Sequence, residues 1–131
     1  MKTVEVVAAI IERDGQVFAT QRGYGDLEGG WEFPGGKVED GETPEEALVR
    51  EIREELDAHI VIEREVVRAQ HDYPTFHLDM RCFLCHPAEG GYTLLEHHAA
   101  RWLDAGTIDD VAWLPADVKV VDAIREQRIL G

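Results

Sequence analysis

The chain has little basic charge to set against its acidic residues. Its 131 residues include 27 Asp and Glu but only 13 Lys and Arg, so the formal net charge is -14. Proteins that bind nucleic acid or anionic membranes nonspecifically carry basic patches. We therefore expect neither as a partner. An anionic small molecule is compatible with this charge if a bound metal ion reverses the local field.

Long apolar runs are also missing. No run approaches the roughly 18 residues that a membrane-spanning helix needs. The apolar N-terminal stretch is followed by the charged residues ERD and not by a small-residue cleavage site. The composition, 44% hydrophobic and 31% charged, is typical of a globular protein. These features predict one cytoplasmic domain over residues 1–131, and they leave monomer and homodimer open.

Cysteine is scarce, and histidine is badly spaced for metal binding. Cys82 and Cys85 form a C-x-x-C pair within a predicted strand, where residues three apart face opposite sides. We therefore predict two buried thiols that do not pair. His97 and His98 are adjacent, and none of the six histidines shows the spacing of a zinc site. Surface or loop positions are the favoured interpretation for them.

The order of elements predicts a mixed sheet between helices, in the α+β class. Strands are indicated at 4–11, 17–21, 31–33, 60–67 and 76–84, with Pro34 and the two glycines after it ending the third, HDYPT as a turn and ARWL as a further strand. Thr43, Pro44 and Glu46 mark the start of a helix with a capping box. Its predicted buried stripe is Leu48, Val49, Ile52 and Leu56. A last helix begins near LPAD, with a predicted stripe of Val118, Val121 and Ile124.

The first helix gathers carboxylates at a cost. Glu51, Glu54 and Glu55 lie three and four residues apart, where like charges repel by a few tenths of a kcal/mol per pair. A solvated charged face is the simpler interpretation, but such a face is better served by interleaved basic residues. A divalent cation with oxygen ligands would turn the repulsion into binding energy. The glycines upstream would let backbone carbonyls reach the same site.

These residues form a pattern that resembles the Nudix box. Gly36 is followed after five residues by Glu42, and after seven more by the run REIREE, which starts at Arg50. The flanking segments VEVVAAIIERDG, WEFPGGKVE and WLPAD are similar to MutT-type nucleoside triphosphate pyrophosphohydrolases and their CTP-cleaving bacterial relatives. One departure is Asp57 where the family has glycine. We expect a helix end with positive φ there, which Asp tolerates, and an intact metal site.

The resemblance implies a Nudix-type α/β/α sandwich and a Mg²⁺ site, with Mn²⁺ as a substitute. It assigns catalytic roles to Glu51, Glu54, Glu55, Arg50 and Glu96. It assigns metal contacts to the three helix glutamates, the Gly36 carbonyl, Glu42 and Glu96. Arg50 is expected to hold Glu51 in position. Glu42 is alternatively a bridging group, and Glu96 is alternatively the general base or an exposed loop charge.

The resemblance also implies a substrate set: Arg22, Phe33, Gly35, Trp113 and Asp117. Arg22 would meet phosphates or sugar, or else form a surface salt bridge. Trp113 would stack on the base, or else belong to the core. Asp117 stands where MutT-like proteins carry an Asn that reads the base and CTP-type relatives carry Asp. Its alternative is to be the N-cap of the last helix.

The predicted activity is hydrolysis of a (deoxy)nucleoside triphosphate to the monophosphate and pyrophosphate. The leading substrate is 8-oxo-dGTP, and CTP or 5-methyl-dCTP is the alternative. An ionised Asp117 only accepts hydrogen bonds, which speaks against oxidised guanine, whereas a protonated Asp would imitate Asn. A second class is a Nudix-like module that binds nucleotide or metal without turnover. Retention of all three helix glutamates argues against it.

Overall fold

The fold was examined in a computed structural model that describes residues 1–23, 27–88 and 100–131. Within these residues the chain forms seven strands and two helices. The strands are β1 (Lys2–Arg13), β2 (Gln16–Gln21), β3 (Trp31–Glu32), β4 (Gly35–Lys37), β5 (Ile60–Tyr73), β6 (Phe76–Pro87) and β7 (Ala100–Leu103). The helices are α1 (Pro44–Leu56) and α2 (Pro115–Glu126).

The sheet is mixed, as predicted. Its main order is β3-β2-β1-β6-β5, with β4 also paired to β1 and β7 to β2. The central pair, β1 and β6, is parallel over a register that runs from Lys2 opposite Phe76 to Ile11 opposite Cys85. The other pairings are antiparallel. Alternate residues of β1 therefore face opposite layers, and both faces of this strand are covered.

The two helices cover opposite faces of the sheet, which confirms the α/β/α sandwich. One core cluster joins the α2 residues Val120, Val121 and Ile124 to Ile10 and its neighbours. The other cluster joins α1 to the alternate residues of β1, such as Ala9 and Ile11. Within the described residues, neither helix is long and apolar enough to cross a membrane.

Both predicted helix stripes were wrong at one position. Leu48, Ile52 and Leu56 of α1 are fully buried, but Val49 is 40% exposed. On α2, Val118 is 46% exposed, and the buried stripe runs through Val120 and its neighbours instead. A residue at the border of an apolar stripe is buried only if a neighbouring element reaches it. That reach is a property of the packing and not of the helical period.

The ends of α1 follow the sequence signals. The Thr43 hydroxyl accepts from the Glu46 N–H at 3.1 Å, and the Glu46 carboxylate accepts from the Thr43 N–H at 2.9 Å. The predicted capping box is thus present. Asp57 ends the helix with φ 50° and ψ 40°, and its N–H donates to the Arg53 carbonyl. The left-handed conformation expected for Asp57 is confirmed.

Several strand boundaries differ from the predictions. β3 ends at Glu32, before Pro34 as predicted, but the two glycines after Pro34 belong to a new strand, because Gly35–Lys37 pairs with β1 as β4. The predicted turn HDYPT is too wide, since β5 continues to Tyr73 and only Pro74 and Thr75 turn. The resulting β5–β6 hairpin is longer than predicted, and Tyr73 lies opposite Phe76 next to its turn. Polar residues on its exposed face had concealed the strand pattern.

The two cysteines behave as predicted. Cys82 packs in the core under α2, and Cys85 packs in the core under α1. Both are buried and neither forms a disulfide. Among the described residues, no group of three His, Cys, Asp or Glu side chains is arranged to hold a metal ion.

Candidate active site

A cleft of about 1080 Å³ brings most of the predicted site residues together. It is lined by Arg22, Phe33, Gly35, Gly36, Glu51, Glu54, Glu55 and Asp117. Trp113, Arg50 and Glu42 are not among the described residues that line it. Glu96 lies outside the described residues. The cleft therefore joins Glu51, Glu54 and Glu55, the acidic stripe of α1, to the start of α2. About half the chain separates these two segments.

Two glycines let β4 pass between β1 and α1. A Cβ atom at Gly35 would lie 1.9 Å from the Val7 carbonyl oxygen. A Cβ atom at Gly36 would lie 2.3 Å from the carboxylate carbon of Glu51. Gly35 has no room for a side chain, because the obstacle is the backbone of β1, whereas a side chain at Gly36 would displace the Glu51 carboxylate. The backbone of β4 consequently lies directly against the carboxylates of the helix.

Arg50 forms ion pairs with Glu42 and with two glutamates of the acidic stripe. Its Nε and Nη2 donate to the two Glu42 oxygens at 2.7 and 2.9 Å, and its Nη1 donates to Glu51 at 2.9 Å and to Glu54 at 3.3 Å. The predicted contact between Arg50 and Glu51 is present. The Glu39 N–H donates to Glu42 as well. Both oxygens of Glu42 are therefore engaged away from the cleft, and the Arg50 guanidinium lowers the pKa of Glu42.

Glu55 is the member of the acidic stripe whose pKa is raised. Burial raises its pKa to about 7, and the negative charges of Glu32 and Glu51 add to this effect. The Gly35 N–H and Arg22 oppose it. A carboxyl group in this position is costly to ionise unless a cation approaches. That cost makes the site a place where a positive ion would gain binding energy.

The donor set fits a hard divalent cation. Glu51, Glu54 and Glu55 offer carboxylate oxygens, and the backbone of Gly36 lies against Glu51. Such oxygens suit Mg²⁺ or Mn²⁺ and not the softer metals. In the described residues the three carboxylates do not converge on one point, because Arg50 draws Glu51 and Glu54 toward itself. Modest rotation of these side chains would be needed to gather them.

Glu32 is a cleft residue that the sequence did not single out. Its two oxygens accept from Arg22 Nη2 at 2.8 Å and Nε at 3.2 Å, so the pair is bidentate. Both residues line the cleft. The alternative interpretation of Arg22 as a salt-bridge partner is therefore correct in part, because the bridge lies in the cleft. Pairing of β2 with β3 brings Glu32 there, and only strand register could have indicated it.

Asp117 is buried at the opposite end of the cleft. It is 4% exposed, and one oxygen accepts from the Phe33 N–H at 3.0 Å. Burial raises the pKa of Asp117 to about 8, an effect that Glu32 strengthens and that the Phe33 N–H and Arg22 oppose. The N-cap interpretation was wrong, since Leu114 occupies that position and Asp117 lies in the first turn of α2.

Trp113 packs against Phe33, a residue of the cleft lining. Its ring stacks on Phe33 with centroids 4.6 Å apart, and its Nε1 donates to the Ile108 carbonyl at 2.7 Å. Because the described cleft lining does not include Trp113, the structure does not place it as a base-stacking residue. Phe33, which stacks on Trp113, is itself part of the cleft lining. The core alternative for Trp113 is the one that the packing favours.

An apolar wall that was not predicted from the sequence faces Asp117. Tyr73, Phe76, Leu78 and Met80 line this part of the cleft, together with Leu114. Tyr73 and Phe76 stack at the tip of the β5–β6 hairpin, with centroids 5.1 Å apart. The alternation of apolar residues in FHLDM was the available signal. It marked a buried face without showing that this face is a pocket wall.

Comparison with known proteins places this architecture in a family. The model of the NUDIX domain matches residues 6–123. The CTP pyrophosphohydrolase of Escherichia coli K12 is 36% identical over 98% of this chain and 96% of its own length. An 8-oxo-dGTP diphosphatase of Haemophilus influenzae is 35% identical over 92% and 90%.

The solved structures agree with the sequence matches. The solution structure of the E. coli ORF135 protein is 36% identical, covers 98% of this chain and 92% of its own, and has a TM-score of 0.81. A MutT protein of Staphylococcus aureus, described as a Nudix hydrolase, is 35% identical with a TM-score of 0.77, covering 97% and 99%. The family model and these relatives thus define the class as a hydrolase, which here has a carboxylate-rich helix beside its sheet. The chain belongs to the Nudix family and is a Nudix hydrolase.

Proposed function

We propose that the protein hydrolyses nucleoside triphosphates to nucleoside monophosphate and pyrophosphate with Mg²⁺. The observation that carries this proposal is the cleft itself. It has a carboxylate stripe at one end and a buried hydrogen-bonding group within an apolar wall at the other. The first end suits a metal-bound phosphate chain, and the second suits a nucleobase. The names of the relatives, which include nucleotide pyrophosphohydrolases of two base types, agree with this division.

The metal end is assigned to Glu51, Glu54, Glu55 and the Gly36 carbonyl. When bound there, Mg²⁺ would neutralise the phosphates and lower the pKa of a bound water. Mn²⁺ would substitute because it accepts the same oxygen ligands. Glu42 would act at a distance, through Arg50, because Arg50 and the Glu39 N–H occupy its oxygens.

The phosphate chain would be oriented by residues beside this end. Arg22 lines the cleft and would contact phosphate or sugar while Glu32 holds its guanidinium. Gly35 offers close backbone approach. Glu96 is proposed on the family resemblance alone, as a further metal ligand or as the general base. Water adds to the α- or the β-phosphorus, and the bond from that phosphorus to the oxygen bridging the two breaks. The bridging oxygen leaves with the electrons of that bond, on pyrophosphate after attack at the α-phosphorus and on the nucleoside monophosphate after attack at the β-phosphorus.

Asp117 is proposed as the base-reading residue. One oxygen accepts from the Phe33 N–H, and burial raises the pKa to about 8, which favours the protonated carboxyl at neutral pH. The protonated group combines an acceptor and a donor, as an Asn side chain does. Phe33 and the apolar wall would enclose the ring. The objection that an ionised Asp could only accept hydrogen bonds therefore does not apply in this environment.

A protonated Asp117 suits a base edge with a donor next to an acceptor. Oxidised guanine presents N7–H beside O6, whereas guanine presents two acceptors there. This difference favours 8-oxo-dGTP over dGTP and makes 8-oxo-dGTP the leading substrate. Cytosine presents its N4 amino group beside N3, which is complementary as well. CTP or 5-methyl-dCTP is the second candidate, and the 36% identity to a CTP pyrophosphohydrolase over almost the whole chain favours it.

The proposal is tested by a screen of nucleotides with Mg²⁺. Initial rates of pyrophosphate release would be compared within the pairs 8-oxo-dGTP and dGTP, and CTP and UTP. Glu54→Gln protein purified in parallel controls for contaminating hydrolases. We expect a preference within at least one pair. Binding without turnover by any nucleotide would instead identify a non-catalytic module and refute the proposed activity.

A second measurement tests the role of Asp117. Asp117→Ala should lower kcat/KM for the preferred nucleotide by about 1–3 kcal/mol and flatten the ranking of bases. Asp117→Asn, which retains a donor and an acceptor, should preserve the ranking at neutral pH. An unchanged ranking in the alanine variant would show that Asp117 does not read the base.

A further inference from the structure

Thr20 is a buried hydroxyl residue that the sequence analysis and the proposed roles leave unused. It is 5% exposed and lines the cleft. Among the described residues, no hydrogen bond involves its Oγ1, and it is not one of those with a further unassigned interaction. A buried hydroxyl without a partner destabilises the fold relative to an apolar side chain. Packing alone would be served at least as well by Val, which has nearly the same shape.

The position of Thr20 in β2 places it in the metal half of the cleft. Phe18, two residues earlier, packs in the core under α1. Residues two apart in a strand share a face, so Thr20 projects toward the α1 side as well. Arg22 follows directly after β2 and lines the same cleft. Glu32, which holds Arg22, is the cross-strand partner of Thr20. The hydroxyl therefore lies on the same face as the guanidinium and the carboxylate stripe.

This arrangement puts two donors of different strength close together in sequence, Thr20 in β2 and Arg22 just after it. Arg22 supplies positive charge, partly compensated by Glu32. Thr20 supplies a neutral O–H that can rotate toward an acceptor. The neighbouring carboxylates repel an anion, so an anionic ligand on this face requires both a cation and donors. A phosphate oxygen is the acceptor that matches such a pair.

We propose that Thr20 Oγ1 donates a hydrogen bond to a phosphate oxygen of the bound nucleotide, next to Arg22. This proposal rests on the proposed nucleotide substrate and adds a specific phosphate contact to it. The contact satisfies the hydroxyl only in the complex. It acts on the phosphate chain and is independent of the base.

The test compares Thr20→Val with Thr20→Ser and with the matched control Thr3→Val, an exposed position of β1. Thr20→Val should lower kcat/KM about tenfold to hundredfold, the range expected for a hydrogen bond to a charged group. The loss should be equal for 8-oxo-dGTP and CTP. Thr20→Ser should restore most of the activity, and the melting temperature of Thr20→Val should not fall below that of the wild type.

Binding of a triphosphate analogue with a methylene bridge between its α and β phosphorus atoms provides a readout that needs no turnover. Calorimetry should show weaker binding by Thr20→Val and unchanged binding by Thr3→Val. Unchanged kinetics and binding in Thr20→Val, or a loss confined to one base, would overturn the phosphate contact while leaving the enzyme activity intact. A wild type that binds the analogue without cleaving any nucleotide would refute only the activity. A wild type that neither cleaves nor binds overturns both.

Discussion

The buried carboxyl of Asp117 should make the stability of the protein depend on pH in an unusual direction. Its pKa rises from the ordinary value of 3.8 to about 8 in the fold. Below the lower value Asp117 is protonated in both the folded and the unfolded chain, so it does not lower the free energy of unfolding. Between the two values the unfolded chain releases a proton that the folded chain keeps. Stability therefore falls as pH rises through this window, and it levels off above the folded pKa.

The magnitude follows from the number of protons. One proton corresponds to about 1.4 kcal/mol per pH unit, so between pH 5 and pH 7 Asp117 removes roughly 3 kcal/mol from the free energy of unfolding. Asp117→Asn carries no such linkage. Its amide oxygen can still accept from the Phe33 N–H, and the packing volume is unchanged. The free energy of unfolding of Asp117→Asn should consequently rise relative to that of the wild type with each unit of pH.

The assay is thermal unfolding of both proteins in metal-free buffer at several pH values. The melting temperature of Asp117→Asn minus that of the wild type should increase by roughly 3–6 °C per pH unit across the window. Contributions of Glu55 and of the surface carboxylates occur in both proteins and largely cancel. Asp122→Asn, on the exposed side of the same helix, should run parallel to the wild type. A constant difference for Asp117→Asn would refute the burial argument.

Three other predictions concern α1. Glu54→Gln should lower kcat at least tenfold. The protein should stay folded, because Glu54 is 62% exposed and its contact with Arg50 is 3.3 Å long. Near-normal turnover would exclude Glu54 as a metal ligand. Mg²⁺ should raise the melting temperature of the wild type more than that of a variant with Gln at 51, 54 and 55; equal shifts would indicate nonspecific screening of the -14 charge. Asp57→Gly should change stability by less than about 1 kcal/mol, since the strain relieved at φ 50° is offset by greater freedom of the unfolded chain; a large gain in activity would show that Asp57 disturbs the site.

Features that depend on neighbours in sequence were predictable from the sequence. The capping box of Thr43 and Glu46 is a contact over three residues, and both of its hydrogen bonds are present. The spacing of Glu51, Glu54 and Glu55 places their side chains on one side of α1 whatever the helix packs against. The positive φ of Asp57 follows from the end of that helix. Helical geometry is repeated every turn, so these inferences needed no knowledge of the sheet.

Features that depend on distant segments required the tertiary structure. Glu32 and Thr20 enter the cleft because β2 pairs with β3, a register that neither short segment specifies alone. Asp117 is buried in the packed structure, and its carboxyl accepts from the N–H of Phe33, 84 residues away; burial raises its pKa, and Leu114 takes the N-cap position instead. The amino-acid order by itself determined the helix, its carboxylates and the family. The packing of remote strands decided which of the other polar groups lose contact with water, because desolvation depends on every element that surrounds a group.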